Sequence, residues 1–199
     1  MPPFLKSTAY YTKMQTLTFE NTKDFFMEAL YNLFIPFIPR DGHILDGGCG
    51  SGRDALHFKN LGYKVTAFDG SKKMAKIAEA HTGLNVMTAD FENVDFPALV
   101  FDGIWTAASL LHVQKNKLPS VLKVLKTTLK PKGIWFMSFR EGDGESFEND
   151  RYFNDQTIQS LTKVIQLVGG FEIMFIGVKN SLRSRRGYSF VSAVMRKTP

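Results

Sequence analysis

The stretch Ile44-Leu45-Asp46-Gly47-Gly48-Cys49-Gly50-Ser51-Gly52 decides the fold. With His43 in front, the run His43-Ile44-Leu45 reads as a buried strand, and the glycines after Asp46 turn the chain into a helix ending near Leu61-Gly62. Glycine takes positive φ and lets a backbone approach a ligand closely, and the N-terminus of the following helix offers unpaired N–H groups. A strand, a glycine loop and a helix in this order place a ligand site at the end of the first strand of an open α/β sheet.

Toward the C-terminus the alternation continues. Lys64-Val65-Thr66-Ala67-Phe68 is a second strand closed by Asp69-Gly70, and Ser71 is placed to cap a helix with Met74, Ile77 and Ala78 on one face. Asn85-Val86-Met87-Thr88-Ala89 is a third strand ending at Asp90. Phe101-Asp102-Gly103-Ile104-Trp105-Thr106 is a fourth, leading through Ala107-Ala108-Ser109 toward His112. A lysine-rich helix over about 115–129 and the turn Lys130-Pro131-Lys132-Gly133 precede a fifth strand, Ile134-Trp135-Phe136-Met137-Ser138-Phe139. The polar segment 141–149 is expected to be a mobile loop. Ile158, Leu161, Ile165 and Val168 mark an amphipathic helix stopped by Gly169-Gly170. Strands over 171–178 and 188–195 close the chain around a basic loop carrying Lys179, Arg183, Arg185 and Arg186.

Toward the N-terminus, the spacing of Phe26, Leu30, Leu33 and Phe34 predicts a helix capped by Asn21 or Thr22 and stopped by Pro36. Residues 1–20, with Tyr10 and Tyr11 but no sustained period, read as an arm or lid in front of a single domain over 21–199. Five strands alternating with helices need long crossovers and hence parallel neighbours, whereas the last two, joined by a short loop, form an antiparallel hairpin. The fold class is α/β: a Rossmann-like, doubly wound, seven-stranded, mostly parallel sheet with an antiparallel C-terminal hairpin.

A chain of 199 residues, 44% hydrophobic and 22% charged, suits one globular domain without disulfide or metal staples. Its apolar runs stop short of the roughly 20 residues that span a bilayer. The start Met1-Pro2-Pro3-Phe4-Leu5-Lys6 lacks the order of a secretory signal, and a single cysteine forms no internal disulfide, so a cytoplasmic protein with no membrane partner is expected. A net charge of +6 is a modest excess that leaves nucleic acid a less favoured partner. Its best support is the basic loop with Tyr188, although charge runs are ordinarily solvated faces.

The ligand is not settled by spacing. Gly50-Ser51-Gly52-Arg53-Asp54-Ala55 also satisfies the dinucleotide pattern G-x-G-x-x-[G/A], with Asp69 about 20 residues after the loop as a ribose-binding acid would be, so NAD stays open. Charge separates the candidates. A dinucleotide brings an anionic pyrophosphate that Asp46 repels, whereas S-adenosyl-L-methionine brings an ammonium and a sulfonium that Asp46 attracts. At about 4 Å and an effective dielectric near 20, such a pair is worth roughly 4 kcal/mol before desolvation. The plainer roles are that Asp46 caps the loop by accepting backbone N–H groups and that Asp69 forms the turn before Gly70.

These residues resemble motif I of the class I methyltransferases, whose pattern is acid-x-G-x-G-x-G. The resemblance covers about residues 42–139 by motif and runs to the C-terminus by strand order, and Lys130-Pro131-Lys132-Gly133 is similar to the family's turn before strand five. Within the class, Gly50-Ser51-Gly52-Arg53-Asp54 and Val65-Thr66-Ala67-Phe68-Asp69 resemble small bacterial enzymes of the tellurite-resistance type. The resemblance implies S-adenosyl-L-methionine as cofactor, with Asp69 on the ribose hydroxyls, Asp90 on the adenine amino group and Phe91 against the adenine. Gly47 departs from the pattern, since the family more often has an apolar residue there. The expected donor site comprises Asp46, Gly47, Gly48, Cys49, Gly50, Gly52, Arg53, Asp69, Gly70, Ser71, Met74, Asp90, Phe91 and Ala107.

Methyl transfer from a sulfonium is an in-line displacement, so positioning and exclusion of water dominate, and a base is needed only where the acceptor must first lose a proton. The acceptor pocket is expected from 107–113, 140–149 and the N-terminal arm. His112 is the candidate base, with a helix-start histidine bonded to backbone as its plainer role. Tyr11, with Tyr10, is the candidate lid residue; Arg53 and Arg140 are candidates to pair with a carboxylate. Cys49 reads as a small buried residue rather than a nucleophile, and four histidines and one cysteine give no metal-ligand spacing. Trp105-Thr106-Ala107-Ala108-Ser109-Leu110 lacks the proline-rich aromatic clamp of DNA amino-methylating enzymes, and no Pro-Cys pair is present for attack on cytosine. The leading expectation is transfer to a small-molecule acceptor, with an RNA or protein methyltransferase and a noncatalytic S-adenosylmethionine-binding regulator as alternatives.

Overall fold

The structure is a computed structural model, which describes residues 3–14, 17–18, 20, 27–180 and 188–199. The strands are β1 (His43–Gly47), β2 (Lys64–Asp69), β3 (Val86–Thr88), β4 (Phe101–Ala107), β5 (Leu129–Arg140), β6 (Gly144–Glu148), β7 (Arg151–Asp155), β8 (Phe171–Asn180) and β9 (Ser189–Lys197). The helices are α1 (Pro3–Lys13), α2 (Glu28–Tyr31), α3 (Arg53–Asn60), α4 (Lys72–Thr82), α5 (Leu118–Thr128) and α6 (Ile158–Val168). Seven strands make one sheet in the order β3-β2-β1-β4-β5-β9-β8, with β1 to β5 parallel and β9 antiparallel to both its neighbours. The expected fold class is therefore the observed one.

Alternation along the central strands divides the core between the two faces of the sheet, since successive side chains point to opposite sides. Leu45, Ile104, Trp135 and Met137 join the layer that includes α5 and α6, while Ile44, Trp105 and Phe136 join Phe34 and Phe58 on the other face. Trp135 and Trp105 are both fully buried, and each indole N–H is satisfied, by Thr106 Oγ1 at 3.0 Å and Asp54 Oδ2 at 2.8 Å. The strand order reverses between β1 and β4, which leaves a crevice at their C-terminal ends.

Several expectations change. The segment 141–149 is no loop: β6 and β7 form a two-stranded antiparallel sheet, turned by Asn149 and Asp150 at φ 49° and 61°. That is the twist of a two-residue primed turn, which Asn and Asp tolerate. Residues 3–13 form a helix whose cleft-facing positions, Ser7, Thr8 and Tyr11, are polar, so no apolar stripe announces it. Pro36 does not stop a helix: α2 ends at Tyr31, and Pro36 lies inside a 3-10 turn, Ile35–Phe37. The turn at 130–133 is a bulge within β5, with Leu129 paired to Phe101 and Ile134 to Gly103, and Lys132 at φ 63°. Asn21, Thr22 and Phe26, and Arg183, Arg185 and Arg186 of the basic loop, lie outside the described residues.

Candidate functional site

A cleft of about 270 Å³ opens at the switch point between β1 and β4, walled by the glycine loop, the start of α4, residues 89–91, residues 107–113 and α1. The loop is held from beneath, with the amides of Gly48 and Cys49 both donating to the Phe68 carbonyl at 2.9 and 3.0 Å. Ser109 Oγ donates to the Gly47 carbonyl at 2.7 Å. Two positions require glycine. Gly48, at φ 70°, would place a Cβ 2.6 Å from Ser109 Cβ, and Gly52, at φ 77°, would place one 2.7 Å from Thr82 Cγ2.

Most expected donor-site residues border the cleft: Asp46, Gly48, Cys49, Gly50, Arg53, Asp69, Gly70, Ser71, Met74, Asp90, Phe91 and Ala107. Gly47 and Gly52 do not. Gly47 ends β1 against the rings of Phe91 and Phe68 and the methyl of Thr106, which occupy the space an apolar side chain would need, and Gly52 caps α3. Of the candidate catalytic residues, Tyr11 and His112 border the cleft and Arg140 does not. Arg140 is buried behind β7, bonded twice to Asp155 at 2.8 and 2.7 Å, to Glu148 at 2.7 Å and to Ser146 at 2.7 Å. Its guanidinium pins the β6–β7 sheet to β5, which corrects its assignment to the acceptor pocket. Arg53 likewise closes on its neighbour Asp54 at 2.6 and 2.8 Å.

The carboxylates differ sharply in their surroundings. Asp54 accepts from Tyr31, Arg53 and Trp105, and although burial raises its pKa, Arg53 and the other donors hold it below the usual carboxylate range. Asp46 is 2% exposed, takes a backbone N–H from Ala55, and leaves Oδ2 buried with no partner. Burial first, and the neighbouring Asp54 second, push its carboxyl well above the usual range. Asp69 accepts from the amides of Gly50 at 2.9 Å and Ser71 at 2.8 Å, tying the two loops together. Asp90 accepts from Glu92 N, Asn93 N and Asn93 Nδ2, so its carboxylate caps the turn that follows. Burial raises the Cys49 thiol, which keeps it protonated and unreactive.

His112 ends a 3-10 turn, Leu110–His112, and its Nδ1 lies 2.7 Å from the Tyr152 carbonyl. A carbonyl only accepts, so Nδ1 carries the proton and Nε2 is the lone pair that receives the Tyr11 hydroxyl at 3.0 Å. Burial, with Arg151 and Arg140 nearby, brings the imidazole down to about 4, against the Tyr152 bond that raises it. His112 is thus neutral, locked in one tautomer, and already engaged. Sequence reasoning missed Ser7, Thr8 and Thr18 on the N-terminal side of the cleft and the buried Asp54. The Arg53-Asp54 pair stood inside the dinucleotide-like pattern and was the available signal for Asp54.

Residues 44–133 match the family model of the methyltransferase domain. An uncharacterized methyltransferase of Staphylococcus carnosus (strain TM300) is 28% identical over 128 residues, 63% of this chain and 61% of that protein. A probable S-adenosyl-L-methionine-dependent methyltransferase TehB of Haemophilus influenzae is 29% identical over 87 residues, 42% of this chain and 30% of its own length. The chain thus spans about three fifths or less of the length of these curated relatives. In three dimensions it is similar to the 1,6-didemethyltoxoflavin-N1-methyltransferase of Burkholderia thailandensis, solved with 1,6-didemethyltoxoflavin and S-adenosylhomocysteine. The TM-score is 0.79 at 21% identity, over 98% of this chain and 88% of that one.

Proposed function

We propose that the chain is an S-adenosylmethionine-dependent methyltransferase, a reading supported by the match of residues 44–133 to the methyltransferase domain, and that it methylates a small-molecule acceptor held between the glycine loop and α1. The observation that carries this reading is Asp46. A buried carboxylate oxygen with no partner, on the wall of a cleft that also holds Asp54, Asp69 and Asp90, suits a cationic ligand and opposes a pyrophosphate. S-adenosyl-L-methionine fits that donor set, and when bound it supplies the sulfonium methyl group.

The chain's own residues divide the remaining work. Asp46 offers its free oxygen to a cation, and Asp69 holds the glycine loop and the start of α4 at a fixed spacing. Met74, Phe91 and Ala107 supply apolar walls. From α1, Tyr11 covers the cleft with its hydroxyl fixed by His112, the position of a lid that keeps water from the reacting centre.

Calorimetric titration with S-adenosyl-L-methionine, S-adenosylhomocysteine and NAD tests the reading. Binding of the first two without NAD is expected; binding of NAD alone would overturn it. Asp69→Ala is expected to weaken binding of S-adenosylhomocysteine by about 1–3 kcal/mol, through the lost carboxylate and the loosened loop. Unchanged affinity in a folded variant removes Asp69 from the site.

A further inference from the structure

Two buried carboxyl groups on the cleft wall, Asp46 and Asp54, meet at the first turn of α3, and they are served unequally. Asp54 accepts from Tyr31 Oη at 2.5 Å, from Arg53 Nε and Nη2 at 2.6 and 2.8 Å, and from Trp105 Nε1 at 2.8 Å. Asp46 reaches the same turn through the amide of Ala55, and its Oδ2 is buried with no partner among the described residues. Four donor contacts, two of them from a guanidinium, keep Asp54 ionised. One amide does not do the same for Asp46, because desolvation and the charge of Asp54 both oppose a second buried anion.

The other groups that face Asp46 do not relieve it. Arg53 on α3 attracts it, but through a guanidinium whose Nε and Nη2 are committed to Asp54. Asp69 on β2, bound to the amides of Gly50 and Ser71, adds to the repulsion. In the glycine loop the Cys49 thiol is pushed up by burial and stays protonated. On α2 the Tyr31 phenol, which reaches the site through Asp54, is pushed up first by burial and then by that carboxylate. The ligand-free site is therefore short of one positive charge, and Asp46 is its neutral member.

We propose that Asp46 carries a proton in the ligand-free protein and that the ammonium group of the cofactor displaces it, so that cofactor binding releases one proton to solvent. This rests on the methyltransferase reading above. Asp46 is then a specificity-determining residue, since a ligand that brings the ammonium converts a neutral carboxyl into one half of an ion pair, whereas a ligand without it leaves the proton in place. The sign of the pH dependence follows. A proton held in the free protein and absent from the complex makes affinity rise with pH, by up to about tenfold per unit, until the free carboxyl is itself ionised and the affinity levels off.

The test is calorimetric titration of the full-length protein with S-adenosylhomocysteine at pH 5, 6 and 7, each in two buffers of different ionisation enthalpy, which counts the protons exchanged. Across that range the ligand keeps its own ammonium proton, an α-amino group titrating at about 7.7–8.0. Release of about one proton is expected at pH 5, with no larger release at pH 7. Methylthioadenosine, which shares the adenosine and the sulfur but has no ammonium, should bind without release. Asp46→Asn should bind S-adenosylhomocysteine without release and with an affinity independent of pH. Should that variant bind too weakly to titrate, the infrared carbonyl band of a protonated carboxyl, lost when S-adenosylhomocysteine binds the unsubstituted protein, reads the same proton. No release at any of the three pH values, equal release with methylthioadenosine, release that survives Asp46→Asn, or a carboxyl band unchanged by binding would each overturn the proposal. Failure of S-adenosylhomocysteine to bind at all would instead strike the methyltransferase reading, so the two failures are distinguishable.

Discussion

At the scale of single residues, the cleft retains groups that are unfavourable in the empty protein. Asp46 is the clearest, being buried with one oxygen unpaired beside the charged Asp54. Its folded pKa is raised above the unfolded value, so its contribution to stability is greatest at low pH and is lost as pH rises through the folded pKa. Asp46→Asn is therefore expected to raise the melting temperature of the ligand-free protein at neutral pH while weakening S-adenosyl-L-methionine by about 1.5–3 kcal/mol, the worth of a hydrogen bond to a charged group. Paired thermal melts and titrations check it, and a variant that loses both stability and affinity would show that Asp46 is structural. His112 runs with the opposite sign. Its pKa falls from 6.5 to about 4 on folding, so its contribution is full above pH 6.5 and is lost as pH drops toward 4, in total about 3 kcal/mol. His112→Gln should flatten the pH dependence of stability between pH 6.5 and 4, read from denaturant midpoints at half-unit steps.

At the scale of elements, α1 decides whether the cleft is closed. Three side chains strap it to three parts of the fold: Ser7 Oγ accepts the Tyr152 amide at 2.9 Å, Tyr11 meets His112, and Thr12 shares a 2.8 Å hydrogen bond with Ser71. Ser7 is 2% exposed, so Ser7→Ala leaves a buried amide unsatisfied and should cost about 1–3 kcal/mol. Hydrogen exchange of the Tyr152 amide and of residues 7–13 should quicken, and unchanged protection would mean α1 is held by packing alone. This element was also the least legible in the sequence. A helix that faces a polar cleft presents Ser, Thr and Tyr inward, so the apolar period used to find β1, α4 and α6 is absent by necessity. The β6–β7 sheet failed for a different reason. Its turn signal, Asn149-Asp150, was present, but Ser146-Phe147-Glu148 carries a single apolar residue and looks like a loop until Tyr152 and Phe153 are seen to pack behind it. Arg140 was misplaced for the same reason, because its carboxylate partners lie on that unrecognised sheet.

At the scale of the molecule, the legible part and the functional part coincide because both follow from the sheet. The order β3-β2-β1-β4-β5-β9-β8 reverses between β1 and β4, and the residues spelled out by the glycine loop, Asp69, Asp90 and Ala107 all stand at the C-terminal ends of neighbouring parallel strands. Strand periodicity reveals such positions, whereas the acceptor side, built from α1, the 3-10 turn at His112 and β7, depends on packing between distant segments. A ligand that joins the two sides should therefore stabilise the whole fold. S-adenosylhomocysteine at about 100 times its Kd adds ~2.7 kcal/mol. For a chain of 199 residues, each kcal/mol moves Tm by about 2–4 °C, so a rise of roughly 5–10 °C is expected, with none from NAD. In Asp46→Asn the melt should start higher and rise less, since the substitution removes at once the strain of the empty cleft and the charge that the ligand answers. A full rise with NAD would mean that the carboxylates around the glycine loop do not govern which ligand enters it.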